Sequence, residues 1–184
     1  MFAWLFVAVV VLVIFGELIF PVLSDRHRDE RISQARMDTG NLRIALDAYR
    51  NEYGKWPDFT GDGLFLDEKR QARLLRLLQG KDEANNPRNI VFFEGRTATQ
   101  SPGAHGQFRG GFSPATGAYL DPQGNPYRIA IDTDGDEQIA NPYPDDSSPL
   151  RTHIIVWSLG KDGKQGSPTN PHTFKGSDDV TSWR

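Results

Sequence analysis

The first fifty or so residues constrain this chain most. Residues 1–14 are entirely apolar, with Trp4 near the start, and only Gly16 and Glu17 intervene before Leu18, Ile19, Phe20 and Pro21. A run of about 20 apolar residues is long enough to span a bilayer as a helix. After Pro21 the composition turns to Asp25, Arg26, His27, Arg28, Asp29, Glu30 and Arg31, yet an apolar stripe persists. Ile32, Ala35, Thr39, Leu42, Leu46, Tyr49 and Tyr53 recur in steps of three and four, which is one face of a helix. Gly54 supplies a left-handed stop, and Pro57 opposes continuation. The pattern predicts a single helix about 80 Å long at about 1.5 Å per residue. Its first half would sit in lipid and its second half would brace a globular domain.

Length and charge limit what else the chain can be. With 184 residues there is room for one membrane segment, at 1–23, and one modest domain, at 24–184. A formal net charge of −3 argues against a nucleic-acid partner, which calls for a basic face. The absence of cysteine excludes disulfides, thiolate zinc sites and thiol catalysis. No basic stretch precedes the apolar run and no small-residue cleavage site follows it, so a retained anchor is expected over a cleaved signal. The charges flanking the run are mixed, so they leave its orientation open.

Downstream, 67–79 reads as a short helix with Leu74, Leu75, Leu77 and Leu78 apolar and Gly80 as its stop. Residues 85–89 read as a loop and 90–93 as a short β-like run. The glycine-rich stretch 96–117 has no period and reads as a surface loop. Asp121, Pro122, Gln123, Gly124, Asn125 and Pro126 signal a turn, followed by alternation of Tyr127, Ile129 and Ile131 as in a half-buried strand. Residues 132–137 form an acidic turn, 153–157 a second β-branched run, and 158–184 a loop-like tail. The expected fold class is α+β: a long N-terminal helix packed on the one apolar face of a small antiparallel sheet.

Two acidic stretches carry candidate chemistry. In the first, Asp132, Asp134 and Asp136 alternate around Gly135, an arrangement that can converge on Ca²⁺. The EF-hand pattern fails there, because glycine falls at the fourth loop position and Tyr143 stands where the bidentate glutamate belongs. A solvated hairpin turn is the simpler reading. In the second, Asp162 and the pair Asp178–Asp179 bracket a long polar loop with no core of its own, which a metal clip would order. His27, His105, His153 and His172 are scattered, and no zinc-protease, nucleophile-elbow or P-loop pattern occurs, so no enzyme is expected. Glu17 lies in the apolar run, near enough to its end to reach headgroups or pack between subunits.

Taken in order, four features resemble the major pseudopilin of type II secretion, in the type IV pilin-like superfamily. They are the apolar helix with Pro21 and its amphipathic continuation; Tyr53-Gly54-Lys55-Trp56-Pro57; Asp121-Pro122-Gln123-Gly124-Asn125-Pro126-Tyr127; and Trp157-Ser158-Leu159-Gly160-Lys161-Asp162-Gly163 with Asp178-Asp179-Val180-Thr181-Ser182-Trp183. The resemblance covers the whole chain. It implies a single-pass inner-membrane subunit with a periplasmic pilin-like domain, assembling with other pseudopilins into a filament that works with the secretion apparatus. It also implies a structural Ca²⁺ in the C-terminal loop. Its ligands would be the side chains of Asp162 and Asp178, carbonyls near Leu159, Lys164 and Gly176, and Asp179 as a further contributor. The glutamate that the family carries at its fifth mature position is not matched: Leu5 stands fifth, and placing Pro21 on the family's helix proline puts Trp4 there. Some minor pseudopilins at filament tips also lack it, so major or minor position stays open. The alternative is a bitopic envelope protein that binds a ligand through 96–117 and forms no filament.

Overall fold

The computed structural model describes residues 2–57, 68–101, 106–144 and 149–184, with side chains for 26–57, 69–101, 106–144 and 149–184. Helix α1 runs Phe2–Tyr53, through the expected boundary at 23/24 without a break. Ala35, Thr39, Leu42, Leu46 and Tyr49 are all buried, as their spacing predicts. The helix stops where expected: Gly54 takes a φ of 69° and its amide bonds the Arg50 carbonyl at 2.7 Å.

The expected inner-membrane, single-pass location is overturned. Among the described residues no helix is long and apolar enough to cross a membrane. From Arg26 onward α1 carries Arg28, Asp29, Glu30, Arg31, Arg36, Asp38 and Arg43, too many charges for a hydrocarbon core. The expected span at 1–23, with Glu17, lies outside the residues whose side chains are described.

Helix α2 spans Glu68–Leu78 and buries all four of its leucines against α1. A paired closure ends it, Gly80 N to Leu77 O at 3.0 Å and Lys81 N to Arg76 O at 2.9 Å, with Gly80 at a φ of 73°. The run at 90–93 is not a strand. The amides of Phe92 and Phe93 both bond the Leu78 carbonyl at the end of α2, so the backbone is satisfied without a sheet partner. Phe93 then packs edge-on against Phe112 and Tyr119.

Among the described residues seven short strands follow: β1 Thr99–Gln100, β2 Phe108–Arg109, β3 Gly111–Phe112, β4 Tyr119–Leu120, β5 Arg128–Ile131, β6 Ile154–Ser158 and β7 Val180–Thr181. They make two-stranded pairs β1–β2 and β3–β4 and an antiparallel sheet of order β5-β6-β7. The central register sets Arg128 against Trp157 and Ile131 against Ile154. The stretch 96–117 is therefore not a plain surface loop, since it contributes three of these strands.

The sheet has two covered faces, not one. Ile129, Ile131, Ile154 and Val156 pack with Leu42, Leu46, Tyr49 and the α2 leucines. On the reverse face, Ala130, Ile155, Trp157 and Leu159 pack with Tyr143, Phe174 and Trp183. The tail from 158 is thus a second cover and supplies β7, which is why it needs little helix or strand of its own.

One buried polar cluster fixes α1 to the strands. Asp38 on α1 is 3% exposed. Arg96 grips it with two nitrogens, at 2.9 and 3.3 Å, while Tyr127 donates at 3.0 Å and Gln34 at 3.0 Å. Tyr119 completes the set at 3.4 Å. Burial pushes the Tyr119 hydroxyl up to about 12, the Asp38 charge adds to the rise, and Arg96 opposes it. Tyr127 is raised too, first by burial and then by Asp38. Above the ordinary tyrosine range near ~10 the unfolded chain releases a proton that the folded chain keeps. Stability from Tyr119 is full below that range and is lost as pH climbs toward 12. Alkaline titration should show tyrosinate absorbance rising together with loss of the tertiary circular-dichroism signal. All tyrosines ionising at ordinary pH while the fold persists would sink this account.

Candidate functional site

The turn at 121–126 and the loop after β6 meet each other. Asp121 has no exposed surface, and its Oδ1 accepts the amides of Gln123, Gly124 and Asn125, each at 2.8 Å. Its other oxygen takes the Ser158 hydroxyl, and Asn125 Nδ2 donates to the Gly160 carbonyl at 2.7 Å. Burial raises the Asp121 pKa, and Ser158 and the three amides oppose that rise. The Asp-Pro-Gln-Gly-Asn-Pro and Ser-Leu-Gly-Lys-Asp-Gly stretches, far apart in sequence, are one hydrogen-bonded unit.

Gly160 marks a close approach. It has a φ of 61°, and a Cβ there would lie 2.4 Å from the Asp178 carbonyl oxygen, so only glycine fits. The Lys161 amide donates to Asp178 Oδ2. Asp162 Oδ1 accepts the Lys164 amide at 2.8 Å. Asp179 is 6% exposed and its Oδ2 takes the Tyr143 hydroxyl and the Gly166 amide, each at 2.7 Å. Burial pushes Asp179 up to about 6; Tyr143 and Gly166 oppose this, while the nearby charges of Asp178 and Asp162 add to it.

Asp162 and Asp178 therefore lie near enough to Asp179 for their charges to act on it, although the ligand atoms of the three do not all fall within 4.8 Å of one another. Asp179 Oδ1 and the Ser177 hydroxyl are buried with no hydrogen-bond partner among the described residues. Burying a carboxylate oxygen without a partner is costly, and a cation removes that cost. Leu159 is buried in the second core, and Lys164 and Gly176 are exposed. Among the described residues, none of those three carbonyls accepts a hydrogen bond. The donor set, all oxygen with carboxylates and spare carbonyls, suits a hard ion such as Ca²⁺.

The other acidic turn gives a different picture. Among the described residues, Asp132, Asp134 and Asp136 are the acidic or histidine group whose ligand atoms all lie within 4.8 Å of one another. Asp132 is nevertheless engaged: Oδ1 takes the Gly135 amide at 2.7 Å, and Oδ2 takes the Glu137 amide at 3.1 Å and His153 Nδ1 at 2.8 Å. Burial would raise its pKa, but His153 and the two amides win and hold it low. Asp132 of this turn is satisfied by two amides and His153, whereas in the C-terminal loop Asp179 Oδ1 and the Ser177 hydroxyl have no partner among the described residues.

Sequence reasoning missed the parts played by Tyr143, Gly166 and Asn125. In the sequence Tyr143 shows only as a residue out of place in an EF-hand pattern, yet its hydroxyl caps Asp179 from across the second core. Nothing local in the sequence signals that pairing. The Asx-type turn at Asp121, by contrast, is visible in its own spacing. No family model, curated protein or solved structure matches the chain.

Proposed function

We propose that the chain is a non-enzymatic, structural subunit of a pseudopilin-like filament of the type II secretion or type IV pilus kind, with Ca²⁺ held in its C-terminal loop. The observation that carries this reading is the disproportion of α1. The helix has 52 residues, about 78 Å at about 1.5 Å each, while the buried residues described on it lie between Ala35 and Tyr49. A small domain does not need a helix of that length for its own core. A helix that continues apolar beyond its domain suits side-by-side packing with copies of itself. Partners would be other subunits of the same kind and the apparatus that assembles them. The Ca²⁺ part rests on the unpartnered Asp179 oxygen beside Asp162 and Asp178.

The chain has no cysteine, which gives a clean background for crosslinking. Val13→Cys combined with Phe20→Cys in the full chain, under mild oxidation, should yield a ladder of dimers, trimers and higher species. A chain that stays monomeric at every concentration would reject the filament and favour ligand binding by the 96–117 region.

A further inference from the structure

Helix α2 turns a basic face to solvent. Lys69, Arg73 and Arg76 lie three and four residues apart on it, opposite the buried leucines, and Lys81 joins them past the Gly80 stop. Together with Asp82, Glu83 and the loop at 116–118 they line a cleft of about 1080 Å³. Arg73 lies 3.5 Å from Asp82, which also holds Asn85. Lys69 and Arg76 meet no carboxylate among the described residues, and Lys81 donates to the neutral Gln79 amide at 3.1 Å. Among the described residues that line the cleft, four cations face two carboxylates. Small-molecule pockets are mostly apolar and about 300–1,000 Å³. This cleft stands at the top of that range but carries six charged side chains in its lining, which suits the tip of a charged protein loop.

The same chain carries a tip of the opposite sign. Asp134, Asp136 and Glu137 project from the turn after β5 and are exposed, and Glu137 is held at a φ of 61°. Asp134 and Asp136 also crowd against Asp132, their carboxylate oxygens within 4.8 Å of one another, and a cation brought up to them relieves that crowding.

We propose that the acidic turn of one copy docks in the α2 cleft of a second copy. The two patches are different surfaces, so the contact is heterologous and repeats head to tail, which builds rings or open filaments. The proposal rests on the filament reading and names one of its lateral contacts. Complementary charge of this kind sets register and encounter rate and weakens as salt rises.

The test uses the full chain, mixed from heavy-isotope and ordinary batches and treated with a zero-length carbodiimide crosslinker. Links joining Lys69 or Lys81 of one copy to Asp134, Asp136 or Glu137 of another are expected, fading at high salt. Lys69→Glu with Arg76→Glu should remove the links from position 81 and weaken self-association about tenfold or more, as should Asp134→Lys with Glu137→Lys. All four positions are exposed, so folding is not at stake. An equal mixture of the two charge-reversed chains should restore association, because each turn then finds a cleft of opposite sign. Oligomers that persist in both variants, with no such links, would overturn this contact while leaving the filament reading intact. Links found only within single copies would overturn it too. A cysteine-substituted helix that yields no ladder strikes at the filament reading itself, apart from this contact.

Discussion

Asp38→Ala is expected to destabilise the fold by about 3 kcal/mol, read by urea denaturation at neutral pH. Truncating one member of a buried ion pair typically costs about 3–5 kcal/mol because the other charge is stranded. Here the Arg96 side chain is 41% exposed and can turn to water, which places the pair term below that range. Tyr127 has no such escape. It has no exposed surface, and without Asp38 its hydroxyl loses its acceptor, at about 1–3 kcal/mol. Alanine is the better helix former and returns about 0.5 kcal/mol in α1. In a chain of this size the balance lowers the melting temperature by roughly 10 °C. Arg96→Ala should also destabilise, and the double variant should cost less than the two singles together, since each single strands the other's partner. Additive losses, or a loss under about 1 kcal/mol for Asp38→Ala, would show that the cluster does not anchor α1 to the strands.

That cluster also shows where sequence reading stops. The stripe on α1 was legible because burial on a helix repeats every three to four residues, and Gly54 and Gly80 both took the left-handed conformations expected of helix stops. The three-stranded sheet was half legible. Ile129, Ile131 and the 153–157 run declared themselves by β-branching, but the second covered face did not. Its cover comes from Phe174 and Trp183, isolated aromatics in a polar tail with no period to betray them. Asp38 was invisible for a related reason. A carboxylate on an amphipathic helix is ordinarily read as solvent-facing, and the partners that hold it inward, Arg96, Tyr119 and Tyr127, lie 58 or more residues on. The apolar run at 90–93 misled in the opposite direction, since four apolar residues suit a strand, yet these amides are satisfied by the end of α2. At the candidate site the carboxylates and glycines were legible, and the spacing at 132–136 showed that turn as well. Which of the two turns leaves buried oxygen unpaired is a property of packing, decided by Tyr143 and the second core.

Calcium therefore offers the sharper test of the site. Millimolar Ca²⁺ should raise the unfolding temperature of the chain by several degrees over the same chain in chelator, because an ion bound only by the folded state at ~100 times its Kd adds about 2.7 kcal/mol. The prediction is specific to the loop. Asp162→Ala and Asp178→Ala each remove one carboxylate from the group around Asp179, and each should abolish the calcium-dependent shift. Their loss in the absence of calcium should be small for Asp162, which is exposed and caps the nearby Lys164 amide, and larger for Asp178, which is half-buried and holds the Lys161 amide across the loop. Asp134→Ala should leave the shift intact, because the turn it belongs to satisfies Asp132 through two amides and His153. A shift that survives both loop variants and disappears in Asp134→Ala would move the ion to 132–136, and the unpartnered Asp179 oxygen would then need another explanation. No shift in any chain would remove calcium from the proposal, leaving the length of α1 as its sole support. A shift confined to the C-terminal loop would mean that the tail, which helps to cover one face of the sheet, is ordered by an ion as well as by Phe174 and Trp183.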